Sequence, residues 1–154
     1  MYRIGYTTGV FDLFHIGHLN ILQKAKEQCR YLIVGINSDE LTMQYKDKTP
    51  VIPIEERVKI VRSIKCVDEV SVRDSLDKVE AWKEFHYNAI FQGSDWVNSK
   101  AYPGAKLFLE GHGCDIVLFD YTVTTSSTLV MNTLKLINSE KASIVENTIN
   151  NHIL

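Results

Sequence analysis

Cysteine is scarce in this chain, and its few positions argue against a disulfide framework. The 154 residues include three cysteines, and these lie far apart at Cys29, Cys66 and Cys114. Their number is odd and no CxxC pair occurs, so neither a set of disulfides nor a structural metal site is favoured. We therefore expect three reduced and mostly buried thiols, in a protein of the reducing cytoplasm.

Long apolar runs and an excess of one charge are also absent. The sequence has no run of ~20 apolar residues and no signal-peptide pattern at its amino terminus. The net charge of −2 gives no general attraction to nucleic acid or to an anionic membrane surface. We expect neither nucleic-acid binding nor membrane insertion, and any phosphate site must come from a local cluster of residues.

Strand-like and helix-like segments alternate along the chain. Buried-strand patterns occur at residues 3–8, 31–36, 69–72, 89–91 and 115–119. Helical patterns occur at residues 16–29, 54–64, 76–86, 105–110 and from 126 to about 136. This alternation predicts an α/β fold, with a Rossmann-like parallel sheet of about five strands and helices on both faces. In such folds the ligand lies beyond the carboxyl ends of the strands.

The carboxyl-terminal segment is expected to be separate from the main domain. We place the domain at residues 1–137 and a helical tail at residues 138–154. The tail carries apolar side chains at Ile144, Val145, Ile149 and Ile153. These fit either an appended helix at a subunit contact or a frayed end, and the sequence does not decide between them.

Two histidines flank a glycine where the first strand gives way to a helix. His15 and His18 enclose Gly17, and a helix amino terminus offers free N–H groups that attract phosphate. Imidazoles there can donate to phosphate oxygens, which suits attack on an α-phosphate with pyrophosphate leaving. The alternatives are two histidines on a helix surface, or a zinc site, for which only Asp12 stands nearby. We predict no protein-bound metal.

The wider sequence around these histidines resembles a known family. Residues 9–18 look like the signature of the cytidylyltransferase superfamily, whose members share His-x-Gly-His. Residues 31–42, 56–57 and 61–70 resemble choline-phosphate and glycerol-3-phosphate cytidylyltransferases, and Gly93-Ser94-Asp95-Trp96 is similar to their Gly-Asp-Asp-Trp. The resemblance covers roughly residues 3 to 137 and is closest to the glycerol-3-phosphate enzymes.

The resemblance implies roles for particular residues. His15, His18 and a loop lysine, best matched by Lys46 with Lys48 as the alternative, would be catalytic. The nucleotide would be bound by Gly9, Val10, Phe11, Gly17, Asp95, Thr122, Ser126, Ser127 and Thr128. The second substrate would be bound by Asp12, Asp39, Arg57, Lys65 and Trp96.

Several of these positions have plainer interpretations. Lys46 could be a solvated loop lysine, and Arg57 a surface arginine paired with Glu55 or Glu56. Trp96 could be a core residue, and Ser126 to Thr128 a simple helix cap. The sequence also departs from the family at Tyr121 and Thr124, where the family has arginine and glycine, and at Lys65, where it has arginine.

The resemblance implies transfer of CMP from CTP to a phosphorylated alcohol, with Mg²⁺ accompanying the nucleotide and a homodimer as the assembly. The first acceptor is glycerol 3-phosphate, ahead of phosphocholine and phosphoethanolamine. One alternative is an adenylyltransferase that uses ATP on a sugar phosphate or a cofactor precursor. Another is a non-catalytic nucleotide-binding domain.

Overall fold

The computed structural model describes residues 1–120 and 126–151, with side chains through residue 139. The described strands are β1 (Tyr2–Gly9), β2 (Cys29–Asn37), β3 (Glu69–Arg73), β4 (Ala89–Gly93) and β5 (Asp115–Phe119). The described α-helices are α1 (Ile16–Lys26), α2 (Asp39–Lys46), α3 (Ile54–Arg62), α4 (Lys78–Phe85), α5 (Tyr102–Gly111) and α6 (Ser127–Asn151). A 3-10 helix, Ser94–Asn98, follows β4.

The five strands form one parallel sheet in the order β3-β2-β1-β4-β5. Strands β2 and β3 are added in turn on one side of β1. The chain then returns to the other side of β1, where it adds β4 and β5. The order therefore reverses between β1 and β4, and the carboxyl ends of these strands form the crevice where α/β folds bind ligands. The predicted fold class is confirmed.

Helices cover both faces of the sheet because successive strand residues point to opposite sides. On one face, Leu22 and Ala25 of α1 and Val61 of α3 pack with Leu32, Val34 and Phe91 of the sheet. On the other face, Ala81 of α4 and Leu109 of α5 pack with Tyr6, Ile33 and Ile90. Two apolar cores thus hold the strand ends in fixed positions, which is what a site built at those ends requires.

The structure corrects several predicted elements. Cys29 is the first residue of β2 and lies buried there, whereas its apolar spacing had placed it at the end of the first helix. Helix α2 and the 3-10 helix were not predicted. Helix α6 continues to Asn151, whereas the last helix was predicted to run to about residue 136.

Two further observations concern the cysteines and the long helices. Cys29, Cys66 and Cys114 are all unpaired, and the first and last are buried. Within the described residues no helix is both long and apolar enough to cross a membrane.

Candidate active site

A cavity of about 360 Å³ opens at the carboxyl edge of the sheet. It is enclosed by the ends of β1, β4 and β5, the first turns of α1 and α6, and the segment from Lys46 to Val51. Nine of the predicted nucleotide-binding and catalytic positions line it besides Lys46, namely Gly9, Val10, Phe11, His15, Gly17, His18, Asp95, Ser127 and Thr128, and so does Asp12 of the predicted substrate positions. Residues from five separate segments of the sequence therefore meet in one place.

The two histidines cap the first helix and fix each other's hydrogen bonds. The Nδ1 atom of His15 accepts from the Gly17 N–H at 3.0 Å. The Nδ1 atom of His18 accepts from the His15 N–H at 3.3 Å, which completes a reciprocal capping box. A neutral imidazole that accepts at Nδ1 carries its proton on Nε2. Each ring is thus left with one Nε2–H donor for a ligand in the cavity.

Packing around His18 keeps its ring neutral. The His15 and His18 rings stack with centroids 3.9 Å apart, and Phe11 and Phe14 contact His18 at 5.3 and 5.4 Å. Burial, with help from nearby His15 and Lys46, lowers the pKa of His18 to about 4, although Asp12 opposes this. Burial also lowers the pKa of His15. Near neutral pH both rings are uncharged donors, so positive charge in the cavity must come from elsewhere.

Lysine side chains supply that charge. Lys46, Lys48 and Lys24 all line the cavity. Lys46 was expected in a loop, but it is the last residue of α2, and its side chain leans over the neighbouring Tyr45 ring. Burial and Lys48 lower the pKa of Lys46, while Asp12 and Asp95 raise it. Three lysine side chains on the wall of a cavity that also presents neutral histidines suit a polyphosphate ligand.

Asp12 ties the histidine loop to the segment that follows α2. Its carboxylate accepts from the Val51 and Ile52 N–H groups, each at 2.9 Å, and from the Leu13 N–H at 3.0 Å. Its backbone oxygen accepts from the Ser127 hydroxyl at 2.6 Å. Asp12, which was predicted to bind the second substrate, therefore holds three walls of the cavity in position through these bonds.

Arg57 does not lie on the cavity surface, which corrects its predicted contact with substrate. The side chain is 0% exposed. Its guanidinium donates to the backbone oxygens of Ile52 at 2.8 Å and Asn37 at 3.0 Å, and also to that of Val10. It pairs with Asp39, whose other carboxylate oxygen accepts from the Ile54 N–H at 3.2 Å. Arg57 and Asp39 thus brace the loops behind the site, and neither Glu55 nor Glu56 forms the predicted ion pair with Arg57.

The histidine loop is held in a conformation that its residues would not adopt alone. Phe11 and Leu13 have φ angles of 55° and 48°, which place two non-glycine residues in the left-handed region. Such backbone persists only where the surroundings fix it. The bonds from Arg57 to Val10 and from Ser127 to Asp12 provide this support on either side of Phe11.

The remaining predicted positions separate into those near the cavity and those away from it. Ser126 caps α6 by accepting from the Leu129 N–H at 3.1 Å, so its hydroxyl serves the helix. Trp96 packs edge-on against Tyr102 and lines a second, neighbouring cavity.

Lys65 is exposed beyond the end of α3. Since α3 runs back toward the start of β3, Lys65 lies at the opposite edge of the sheet, which corrects its predicted substrate role. Thr122 lies outside the described residues.

Sequence reasoning missed several residues of the cavity wall. Asn20, Ile21 and Lys24 lie on one face of α1 below Gly17 and line the cavity. Their spacing of three, four and seven residues from Gly17 is a signal that could have identified them. Gln92 lies at the end of β4, and its amide donates to the Thr8 oxygen at 3.5 Å. A Cβ at neighbouring Gly93 would lie 2.6 Å from an Asp95 carboxylate oxygen, so glycine there lets Asp95 fold back into the cavity wall.

Comparison with known proteins agrees with this geometry. A family model described as cytidylyltransferase-like matches residues 6–143. The bifunctional protein HldE of Caulobacter vibrioides is 33% identical over 127 residues, which make up 82% of this chain and 26% of that protein. HldE of Helicobacter pylori strain P12 is 35% identical over 99 residues, 64% of this chain and 22% of that one. The chain thus spans about a quarter of the length of these curated relatives.

Solved structures share the fold. The lipopolysaccharide core biosynthesis protein from Thermoplasma volcanium GSS1 aligns with a TM-score of 0.66 and 24% identity, over 79% of this chain and 98% of that one. A bifunctional NMN adenylyltransferase/ADP ribose pyrophosphatase from Francisella tularensis, complexed with AMP and a Mn ion, aligns with a TM-score of 0.55 and 18% identity, over 83% of this chain and 40% of that one. Together with the matched family model, the sheet and its histidine-lined cavity show that the chain belongs to the cytidylyltransferase-like family of nucleotidyltransferases.

Proposed function

We propose that the chain transfers CMP from CTP to a phosphorylated alcohol, with glycerol 3-phosphate as the first acceptor to test. A phosphate oxygen of the acceptor attacks the α-phosphorus of CTP. The bond from that phosphorus to the bridging oxygen breaks, and pyrophosphate leaves. The products are a CDP-alcohol and pyrophosphate. In this reaction the protein must align two phosphates and stabilise charge on the transferring group.

The observation that carries this proposal is the arrangement of donors around the cavity. His15 and His18 each present an Nε2–H, and Lys46 presents an ammonium group on the same cavity. Helices α1 and α6 both begin at this cavity, and their first N–H groups suit phosphate oxygens. Donors on several sides match a triphosphate that is held at its α, β and γ groups.

We also propose which residues lie nearest each part of the substrate. We assign the α-phosphate to His15, His18 and Lys46, and the departing pyrophosphate to the start of α6 at Ser127 and Thr128. The base would lie toward Asp95, which lines the cavity at the end of β4. Asp12, Asp39 and Arg57 would act through the loops that they hold.

Mg²⁺ would enter with the nucleotide and neutralise part of its charge. Asp95 and Asp120 line the cavity, and neither carboxylate accepts a hydrogen bond from the described part of the chain. Either would add one oxygen ligand to an ion held mainly by phosphate and water. Asp12 is less suited, because its oxygens already accept three N–H groups.

A second candidate is transfer of AMP from ATP. The same fold in the Francisella NMN adenylyltransferase structure was solved with AMP, so the fold alone selects neither cytosine nor adenine. The histidine and lysine donors would act identically on either nucleotide, since they face the phosphates.

Release of pyrophosphate from CTP and from ATP, each with Mg²⁺ and a set of phosphorylated alcohols, tests the proposal. We expect acceptor-dependent release that is faster with CTP and that includes glycerol 3-phosphate. Faster release with ATP would replace the first candidate by the second. No release with either nucleotide across the whole acceptor set would contradict catalysis and favour a nucleotide-binding domain without activity.

A further inference from the structure

A second cavity, of about 630 Å³, lies beside the first at the carboxyl edge of the sheet. Two pairs of consecutive residues lie between the cavities. In the pair Tyr45 and Lys46, the lysine lines the first cavity and the tyrosine lines the second. In the pair Asp95 and Trp96, the aspartate lines the first and the tryptophan lines the second. The remaining wall comes from the start of α4 and from the start of α5, including Leu76, Asp77, Lys78, Val79 and Ala105. The two cavities therefore share a wall, which is formed by these two pairs of neighbouring residues.

Lys78 places an unpaired cation in the second cavity. Among the described residues its ammonium group forms no hydrogen bond or ion pair, although the side chain lies against the cavity. Burial lowers the pKa of Lys78 to about 8, and repulsion from Arg73 adds to this more than Asp77 opposes it. The group is therefore still mainly charged near pH 7, and it is poorly solvated. An anion bound there would relieve that cost.

The charged neighbours of Lys78 are already committed to other partners. Asp77 caps α4 by accepting from the Val79 N–H at 2.8 Å. Arg73 is 6% exposed and donates to Glu84 at 2.6 Å, which neutralises both of them. Neither carboxylate pairs with the Lys78 ammonium group, so this group is available to an anionic ligand.

The rest of the wall fits an extended carbon skeleton. Trp96 is fixed by its edge-on contact with Tyr102, at 5.0 Å between ring centroids. Tyr45 is fixed by its hydroxyl, which accepts from the Asn37 amide at 3.1 Å. Tyr45 and Trp96 thus give the second cavity an aromatic wall beside the residues that line the first cavity. A three-carbon polyol such as glycerol would leave most of a cavity of this size empty.

We propose that the second cavity receives the body of the acceptor and that Lys78 binds a further anionic group on it. The preferred acceptor is then a phosphorylated alcohol of about six carbons that also carries a carboxylate or a second phosphate, and glycerol 3-phosphate should still react but with a higher KM. This assignment rests on the proposed function, because it takes the first cavity as the place where the acceptor phosphate reacts.

Binding of a matched pair of compounds tests the assignment without requiring turnover. The pair is 6-phosphogluconate and glucitol 6-phosphate, which have the same carbon count and differ by a carboxylate at the far end. We expect calorimetric titration of the full chain to show about tenfold tighter binding of 6-phosphogluconate, the scale of one charged hydrogen bond. The variant Lys78→Met should remove this preference, whereas Lys78→Arg should keep most of it.

Lys83→Met is the matched control, since Lys83 lies exposed on the same helix. It should leave the preference unchanged. Lys78→Met should fold at least as stably as the wild type, because it replaces a poorly solvated charge by an apolar chain of similar length. Thermal unfolding of the variant therefore separates a lost ligand contact from a damaged fold.

The possible outcomes are distinct. Equal or undetectable binding of the two compounds by the wild type, or a preference that survives in Lys78→Met, would overturn the assignment of Lys78. A Lys78-dependent preference without pyrophosphate release from either nucleotide would support the anion site and contradict the proposed transfer reaction. Pyrophosphate release together with a Lys78-dependent preference supports both.

Discussion

At the scale of single residues, hydrogen bonding and burial determine what the two histidines can do. Both rings accept from backbone N–H groups through Nδ1, so both keep a donor at Nε2. Because burial disfavours the charged form, they donate as neutral rings and leave the charge to Lys46 and its neighbours. The histidines thus provide fixed hydrogen-bond donors for the transferring phosphate, and the lysines provide the positive charge. Because the histidines are neutral, the fold does not have to bury two more cations.

Replacing His18 tests its role directly. We expect His18→Ala to lower kcat by about two orders of magnitude or more, as is typical for the loss of one transition-state donor. His112→Ala is the control, since His112 is exposed after α5 and away from the cavity. Steady-state pyrophosphate release measures both variants. Near-normal turnover in a folded His18→Ala protein would rule out the assigned role.

The lowered pKa of His18 predicts how stability depends on pH. Between about pH 6.5 and pH 4 the unfolded chain binds a proton on this ring and the folded chain does not. The free energy of unfolding should therefore fall as the pH is lowered through this window. Urea unfolding at a series of pH values gives the slope, and the slope should be shallower in His18→Asn than in the wild type. An identical slope in the two proteins would mean that His18 titrates normally.

At the scale of elements, the cavity exists because loops from distant parts of the chain are fastened together. Arg57 reaches from α3 to the ends of β1 and β2, and Asp12 reaches to the segment before α3. Both hold backbone groups, so both act on the shape of the site through the segments that they join.

Substitution of Arg57 should weaken the fold. Arg57→Lys keeps the charge but cannot reproduce the planar set of bonds to three backbone oxygens and Asp39. We expect a loss of about 2 kcal/mol in the free energy of unfolding, the scale of one charged hydrogen bond. Arg62→Lys, on an exposed position of the same helix, should change it by less than about 0.5 kcal/mol. Urea denaturation compares them, and equal stabilities would refute the bracing role.

Removal of the Asp12 carboxylate should loosen one segment in particular. In Asp12→Ala the Val51 and Ile52 N–H groups lose their acceptors. Their hydrogen exchange should become faster, while exchange in β2, a central strand, stays slow. Exchange measured on the two proteins reports this contrast. Unchanged protection at Val51 and Ile52 would show that other contacts hold the segment.

At the scale of the whole molecule, the sequence pattern predicted the five strands of the sheet and the histidine loop that lines the first cavity. Continuous apolar runs marked the strands because strands buried on both faces need them. The histidine motif could be predicted because its two imidazole rings and its glycine lie within four consecutive residues at the start of one helix. The expected homodimer stays a prediction, for which the described part of α6 exposes Leu129, Leu134, Leu136 and Ile137.

Features that depend on packing between distant segments were not predictable in the same way. The sequence allowed Arg57 to be interpreted as a surface residue. The three backbone oxygens that surround its buried guanidinium come from segments that meet only in the folded protein. Lys65 was assigned by likeness alone, although a helix that returns from the carboxyl edge must end at the opposite edge. The second cavity has no motif, because residues from α2, α4, the 3-10 helix and α5 form it only after folding.

The most direct test of the central claim is phosphorus NMR of a reaction that contains the protein, Mg²⁺, CTP and glycerol 3-phosphate. Nucleotidyl transfer predicts that pyrophosphate and the paired signals of a new diphosphate ester grow together, in equal amounts, and only when the acceptor is present. The same reaction with His18→Ala should show neither within the same time. Signals of CTP and glycerol 3-phosphate that stay unchanged, or conversion of CTP to CDP and inorganic phosphate without the diester, would contradict the assignment.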